Sequence, residues 1–202
     1  MNEIAIRNLA ELEEAGLRQA AEVFVDGFYD SLRFFAADRG KLARALEHAL
    51  VREQFAVALT EGRVVGIFAF STGQKRAFRF DKQVLRKELG WLRGGVFYIL
   101  VRQELEKPLE LKERQCYFES VATAEEARGR GIATKLHDHL LLMLDYDEYI
   151  LEVVDTNSAA IRLYEKLGYT VFKRKPQRWF RKQAGFNARL YMKKQADKPV
   201  PR

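Results

Sequence analysis

Seven residues, Arg128-Gly129-Arg130-Gly131-Ile132-Ala133-Thr134, carry the plainest chemical signal in this chain. Two glycines alternating with two arginines, at the start of a helical pattern, expose backbone N–H groups and let a ligand come close. A helix N-terminus adds partial positive charge, so a phosphate or pyrophosphate is the natural guest. The plainer alternative is a strand-to-helix turn whose glycines serve geometry alone. Three phosphate-binding patterns compete for these residues. A P-loop needs Gly-Lys followed by Ser or Thr, and Thr134-Lys135-Leu136 departs from it at two positions. A dinucleotide fingerprint, G-x-G-x-x-G, finds Gly129 and Gly131, but Thr134 stands in its third place and residues 124–127 separate the glycines from the preceding strand. Glu152 lies where a ribose-binding acid would fall, yet a second βαβ half is missing. The third pattern, R-x-x-G-x-A, is met by Arg128, Gly131 and Ala133.

Other reactive side chains weigh less. His137-Asp138-His139 invites a metal reading, but residues two apart on a helix face different sides and cannot chelate together. They read as solvent-facing polar residues. Cys116 and Ser120 have no histidine nearby in sequence to activate them, and read as ordinary strand residues. In the segment 173–182, Lys173, Arg174, Lys175, Arg178, Arg181 and Lys182 surround Trp179 and Phe180. Such a mix can hold nucleic acid through phosphates and stacking, though a solvated hairpin loop is the simpler account.

The elements that must position these groups follow from periodicity. Apolar alternation over residues 4–6 predicts a first strand. Leu17, Ala20, Ala21, Phe24, Phe28 and Leu32 lie on one helical stripe within 11–35, and a second helical pattern covers 41–51. Two β-rich runs, 55–59 and 64–70, flank Thr60-Glu61-Gly62-Arg63, a hairpin loop. The stretch 76–114 reads as an insertion with its own helices, broken at Gly90 and Gly94-Gly95 and ended by Pro108. Strand 116–123, helix 131–144 and strand 149–154 make a βαβ unit, which forces a parallel pair. Ile132, Leu136, Leu140 and Met143 form the apolar face of that helix. A helix over 158–167, stopped by Gly168, and short strands at 169–172 and 188–192 complete the chain. The expected fold class is α/β, with a mixed, mostly antiparallel sheet and flanking helices.

Composition bounds the rest. A chain of 202 residues that is 48% hydrophobic and 12% aromatic can pack a core, and its length suits one domain over 1–202. The single cysteine excludes a disulfide framework and a thiolate zinc site. The longest apolar runs are far too short to span a bilayer. Glu3, Glu11, Glu13 and Glu14 stand where a secretory signal would need a basic start and an apolar run. The expectation is a soluble, cytoplasmic protein with no membrane partner. A net charge of +7, from 35 basic and 28 acidic residues, favours an anionic partner without saying which.

The phosphate turn and the preceding Phe118-Glu119-Ser120-Val121-Ala122-Thr123 resemble the acetyl-CoA-binding segment of the GNAT N-acetyltransferase superfamily. A second match lies in residues 157–169, where Asn157, Ala159, Leu163-Tyr164 and Gly168-Tyr169 look like the family's pattern on the following helix. The resemblance covers about 115–172 and omits 76–114. It implies a sheet whose parallel strands splay apart, with the pantetheine arm of acetyl-CoA along Val121, Ala122 and Thr123. The pyrophosphate would be held by Arg128, Gly129, Arg130, Gly131, Ile132, Ala133 and Thr134, with Asn157 contacting the arm. Ala133 stands where many relatives have glycine. Tyr164 matches the usual general acid, a phenol with a pKa near ~10 that can protonate a departing thiolate. Glu119 is the candidate base; a free glutamate has a pKa of about 4.3, so it needs burial or a relay water to serve. Plainer roles are a packed ring for Tyr164, a helix N-cap for Asn157 and a structural carboxylate for Glu119. The implied partners are acetyl-CoA and an amine acceptor, with no metal; a homodimer is open, and nucleic acid is the less favoured partner. The alternatives are an acyl-CoA-binding regulatory module without catalysis and a nucleic-acid-binding protein using 173–182.

Overall fold

The computed structural model describes residues 3–177 and 185–196. The chain runs β1 (Ala5–Asn8), α1 (Glu14–Leu32), α2 (Arg39–Leu46), β2 (Phe55–Thr60), β3 (Arg63–Ser71), α3 (Lys82–Leu89), α4 (Trp91–Val101), β4 (Gln115–Thr123), α5 (Ile132–Met143), β5 (Glu148–Val154), α6 (Ser158–Lys166), β6 (Thr170–Pro176) and β7 (Ala188–Gln195). The strands form one sheet in the order β1-β2-β3-β4-β5-β7-β6. Neighbours are antiparallel except β4 and β5, which the α5 crossover makes parallel. The sheet is therefore mixed and mostly antiparallel, as the order of elements predicts.

Local sequence explains most boundaries. Glu61 and Gly62 both take positive φ, 52° and 75°, which closes the β2–β3 hairpin with the twist its strands need. Asp38 and Asp81 cap α2 and α3 by accepting N–H bonds from Lys41 and from Gln83 and Val84. Gly168, at φ 89°, ends α6. The helical stripe of α1 buries Leu17, Ala20, Ala21 and Phe24 as expected, and the helix kinks at Phe28.

Strand β4 is irregular along both of its edges. The β4–β5 ladder pairs Gln115, Cys116, Tyr117 and Phe118 with Glu148, Tyr149, Ile150 and Leu151, then stops, although both strands continue. Between the pairs Phe70–Phe118 and Phe68–Val121, β3 advances two residues while β4 advances three. Strand β4 thus carries one extra residue, a bulge at Glu119-Ser120, which reverses the alternation of its side chains. Phe118 points toward α5, where it meets His137. Ala122 points the other way, against Gly27 of α1, where a Cβ on the glycine would come within 2.5 Å.

Four expectations need correcting. Gly94-Gly95 does not break the insertion helices. Both lie inside α4, and Gly94 sits so close to α3 that a Cβ would be 2.3 Å from the Leu85 carbonyl. Met143 is exposed at the last residue of α5, beyond the packed face. His137 takes that inward place, buried rather than in solvent. Residues 173–176 are the end of strand β6 rather than a loop; the rest of the basic segment, 178–182, lies outside the described residues. No helix among the described residues is long and apolar enough to cross a membrane.

Candidate active site

The phosphate turn emerges from the end of β4. Gly129 and Gly131 take φ of 75° and 72°, a conformation that other residues adopt with strain. A Cβ at either position would meet nothing within 4 Å, so the backbone faces open space. Gly131 caps α5 without a side-chain bond, and the N–H groups of residues 131–134 find no acceptor among the described residues. Arg128 and Arg130 are exposed beside them, Arg128 donating to the Thr123 carbonyl at 3.4 Å. Ile132 is buried and Ala133 and Thr134 half-buried, which seats the first turn of α5 on the sheet. That seat depends on Gly66 of β3, where a Cβ would lie 2.5 Å from the Ile132 side chain. Unpaired N–H groups, a helix terminus and two guanidinium groups suit a pyrophosphate.

The gap in the sheet lies next to this turn. Val121, Ala122 and Thr123 pair with Phe68, Ile67 and Gly66 of β3, but have no partner on the β5 side. Their outer edge is open backbone of the kind an extended amide-bearing arm can pair with.

The family model for the acetyltransferase (GNAT) family matches residues 22–169. The chain belongs to that family. Solved structures resemble it over almost their full length. One is described as histone acetyltransferase HPA2 and related acetyltransferase from Corynebacterium glutamicum, 21% identical, with TM-score 0.64 and all of both chains covered. A Staphylococcus aureus N-acetyltransferase is 19% identical with TM-score 0.63, covering 94% of this chain and 100% of that one. The NatC complex bound to Gag peptide and CoA is 17% identical with TM-score 0.57, covering 96% and 98%. At such identities the likeness speaks for the fold alone. Among curated protein sequences none matches the chain.

Within this GNAT fold the candidate catalytic residues have distinct surroundings. Glu119, in the bulge, has a side chain only 2% exposed. Its Oε1 accepts from Arg76 at 3.0 Å and from the Ser71 hydroxyl, which in turn accepts the Ala77 N–H at 2.8 Å. Its Oε2 is buried, with no hydrogen-bond partner among the described residues. A cavity of about 330 Å³ opens beside it, walled by Phe28, Tyr117, Glu152, Arg189 and Tyr191 and by Glu104, Leu105 and Leu109 of the insertion. Arg76 ties that insertion down, donating also to the Lys107 and Glu104 carbonyls.

Tyr164 is buried on α6 with its ring 5.6 Å from that of Tyr169. Its hydroxyl makes no hydrogen bond among the described residues, and burial pushes its pKa well above the ordinary phenol value. Asn157 is the N-cap of α6, its Oδ1 accepting from Ala160 N–H at 3.1 Å. Cys116 is an inert core thiol, its pKa driven far up by burial and then by Glu119. His137 is held between Asp138 at 3.0 Å and the Tyr169 hydroxyl at 3.2 Å, and burial lowers its pKa.

Ser71 and Arg76 were not legible as site residues. They lie 48 and 43 positions from Glu119 along the chain, and no local motif announces either. The weak signal was chemical: an arginine at the edge of an insertion needs a carboxylate if it is to be buried.

Proposed function

We propose that this chain transfers an acetyl group from acetyl-CoA directly to an amine. The observation that carries this reading is a juxtaposition. Unpaired N–H groups at the start of α5 and an open β4 edge stand beside a buried carboxylate with one unpartnered oxygen. Residues 128–134 would hold the pyrophosphate, and the backbone of Val121, Ala122 and Thr123, with Asn157, the pantetheine arm. Acetyl-CoA supplies an activated thioester and a thiolate leaving group. An amine attacks only when neutral, and an alkylamine is mostly protonated at neutral pH. Glu119 Oε2 accepts that proton, directly or through one water, while Ser71 and Arg76 hold Oε1. Tyr164 stays protonated because it is buried, so its hydroxyl is available to donate to the leaving sulfur. The buried, high-pKa Cys116 offers no thiolate, which favours direct transfer over a covalent enzyme intermediate.

The test is thiol release from acetyl-CoA with a panel of amines and peptides, with calorimetric CoA binding measured alongside. Amine-dependent thiol release supports the proposal. Tight CoA binding without release on any amine overturns it in favour of a regulatory acyl-CoA-binding module.

A further inference from the structure

The cavity beside Glu119 does not end there. A second cavity of about 360 Å³ shares Leu109, Tyr117 and Tyr191 with it and carries the trench across β5 and β7 to Lys173 of β6. Register places four side chains in one rank along this trench. Phe118–Leu151 is the last pair of the parallel ladder, so Glu119 and Glu152 come next on the two strands. Glu152 pairs with Tyr191, and Tyr191 with Lys173. Directly opposed residues share a face of the sheet. From β4 to β6 the rank therefore reads carboxylate, carboxylate, phenol, ammonium. Two paired spacings of about 4.8 Å and the parting β4–β5 step make it at least about 14 Å long.

The charges along the trench are polarised. Among the described residues around the inner cavity, Glu104, Glu119 and Glu152 face two cations, Arg76 and Arg189, which leaves one negative charge in excess. Arg189 is committed to Glu152 at 2.6 Å and Glu104 at 3.4 Å, and Arg76 to Glu119 Oε1 at 3.0 Å. Glu119 Oε2 is buried with no hydrogen-bond partner among the described residues. Among the described residues around the outer cavity, Lys112, Lys173 and Lys193 face Glu110 and Glu148, one positive charge in excess. Lys193 is held by Glu148 at 3.1 Å. Lys112 and Lys173 have no carboxylate partner among the described residues, and the Lys173 ammonium stands 5.4 Å from the Tyr191 ring that both cavities share. Leu109, Leu111, Ile150 and Phe172 supply apolar walls between the charged ends.

We infer that the acceptor is a dipolar chain: an amine that reaches Glu119, joined through a largely apolar stretch to an anionic group that reaches Lys173 and Lys112. An extended peptide spans about 3.3–3.6 Å per residue, so a free N-terminus at Glu119 puts the third Cα about 7 Å along the rank, its side chain reaching toward the Lys173 ammonium that leans back to the Tyr191 ring. The acceptor class is a peptide-like amine with a carboxylate at about its third residue. This rests on the amine-acetylation reading and adds the substrate class to it.

The experiment compares three acetyl acceptors, Ala-Ala-Asp-Ala-amide and its third-position Asn and Lys counterparts, together with a simple alkylamine. Acetylation is followed by thiol release at low and high salt. We expect kcat/KM for the Asp peptide to exceed that for the Asn peptide by about fivefold, the scale of one or two partly exposed ion pairs, mainly through KM. The preference shrinks with salt, because exposed charges are screened within about 8 Å at physiological ionic strength. Lys112→Gln with Lys173→Gln brings the Asp/Asn ratio toward one, and Lys173→Glu moves preference toward the Lys peptide; retained CoA affinity shows that each variant is folded. Equal rates on the three peptides, preference for the Lys peptide by the unaltered chain, or an unchanged ratio in the double variant overturns the inference. So does acetylation of the alkylamine with none of the peptides. Failure on every amine overturns the acetylation reading itself.

Discussion

The phosphate turn and the acceptor trench sit on the same sheet but are built in opposite ways. The turn offers its proposed ligand backbone: the N–H groups of residues 131–134, two positive-φ glycines and a helix terminus, all from one run of seven residues. The proposed acceptor trench is walled by side chains drawn from α1, the insertion, β4, β5, β6 and β7, and its central pair, Arg76 and Glu119, is separated by 43 positions. A backbone site tolerates little change at its glycines and much elsewhere, whereas a side-chain site can be retuned residue by residue.

The largest expected effect falls on the backbone half. Gly131→Asp places a carboxylate where an anion would sit and forces a residue with a Cβ into φ 72°. CoA binding should be abolished while circular dichroism reports an intact fold. Normal binding by the folded variant would end the distinction between the two regions. Next come the reacting groups. Glu119→Gln and Tyr164→Phe should each lower kcat by about 10²–10⁴-fold with CoA affinity nearly unchanged. A wild-type chemical step in Tyr164→Phe would return that ring to a packing role.

A smaller effect tests how the turn is seated. Gly66→Ala brings a Cβ to 2.5 Å from the Ile132 side chain and must move either β3 or the first turn of α5. Overpacking of this kind costs about 1–3 kcal/mol, read by denaturant titration, with CoA binding weakened in parallel. Acceptor KM should move less than CoA affinity if the two halves are separable. The smallest effect is on pH. Burial lowers the pKa of His48 and His137 below their ordinary 6.5. The unfolded imidazoles take up protons near 6.5 and the folded ones only at lower pH, so stability falls as pH drops below about 6.5. Melting temperatures at pH 7.5 and 5.5 should show the loss, and His137→Gln should reduce it.

The same contrast accounts for what the sequence reveals. Residues 128–134 and the helix after them are visible because backbone geometry leaves a local mark, glycine at fixed positions before an apolar stripe. The parallel pair follows from the βαβ order, and Glu119 and Tyr164 from motif position. Ser71, Arg76 and the Glu104–Arg189 pair leave no such mark, since an ion pair between distant segments is specified only once the sheet has formed. Periodicity erred where tertiary contact overrode it. Met143 continues the apolar spacing but lies past the packed face of α5, while His137 fills the inner position through two hydrogen bonds. Gly94 looked like a helix break and is instead the point where α4 presses on the backbone of α3.

The short parallel ladder has a mechanical consequence. With only four register pairs joining them, β1–β4 and β5–β7–β6 are two plates on a narrow hinge, and the open end of that hinge is where the pantetheine arm is proposed to lie. An arm bonded along the β4 edge would act as a rivet between the plates. Since a ligand at 100 times its Kd adds about 2.7 kcal/mol to the stability of the form that binds it, occupancy should show in the cohesion of the whole sheet. Amide exchange in β5 would then slow on CoA addition far from any phosphate contact, making the fraying of one strand a gauge of cofactor supply.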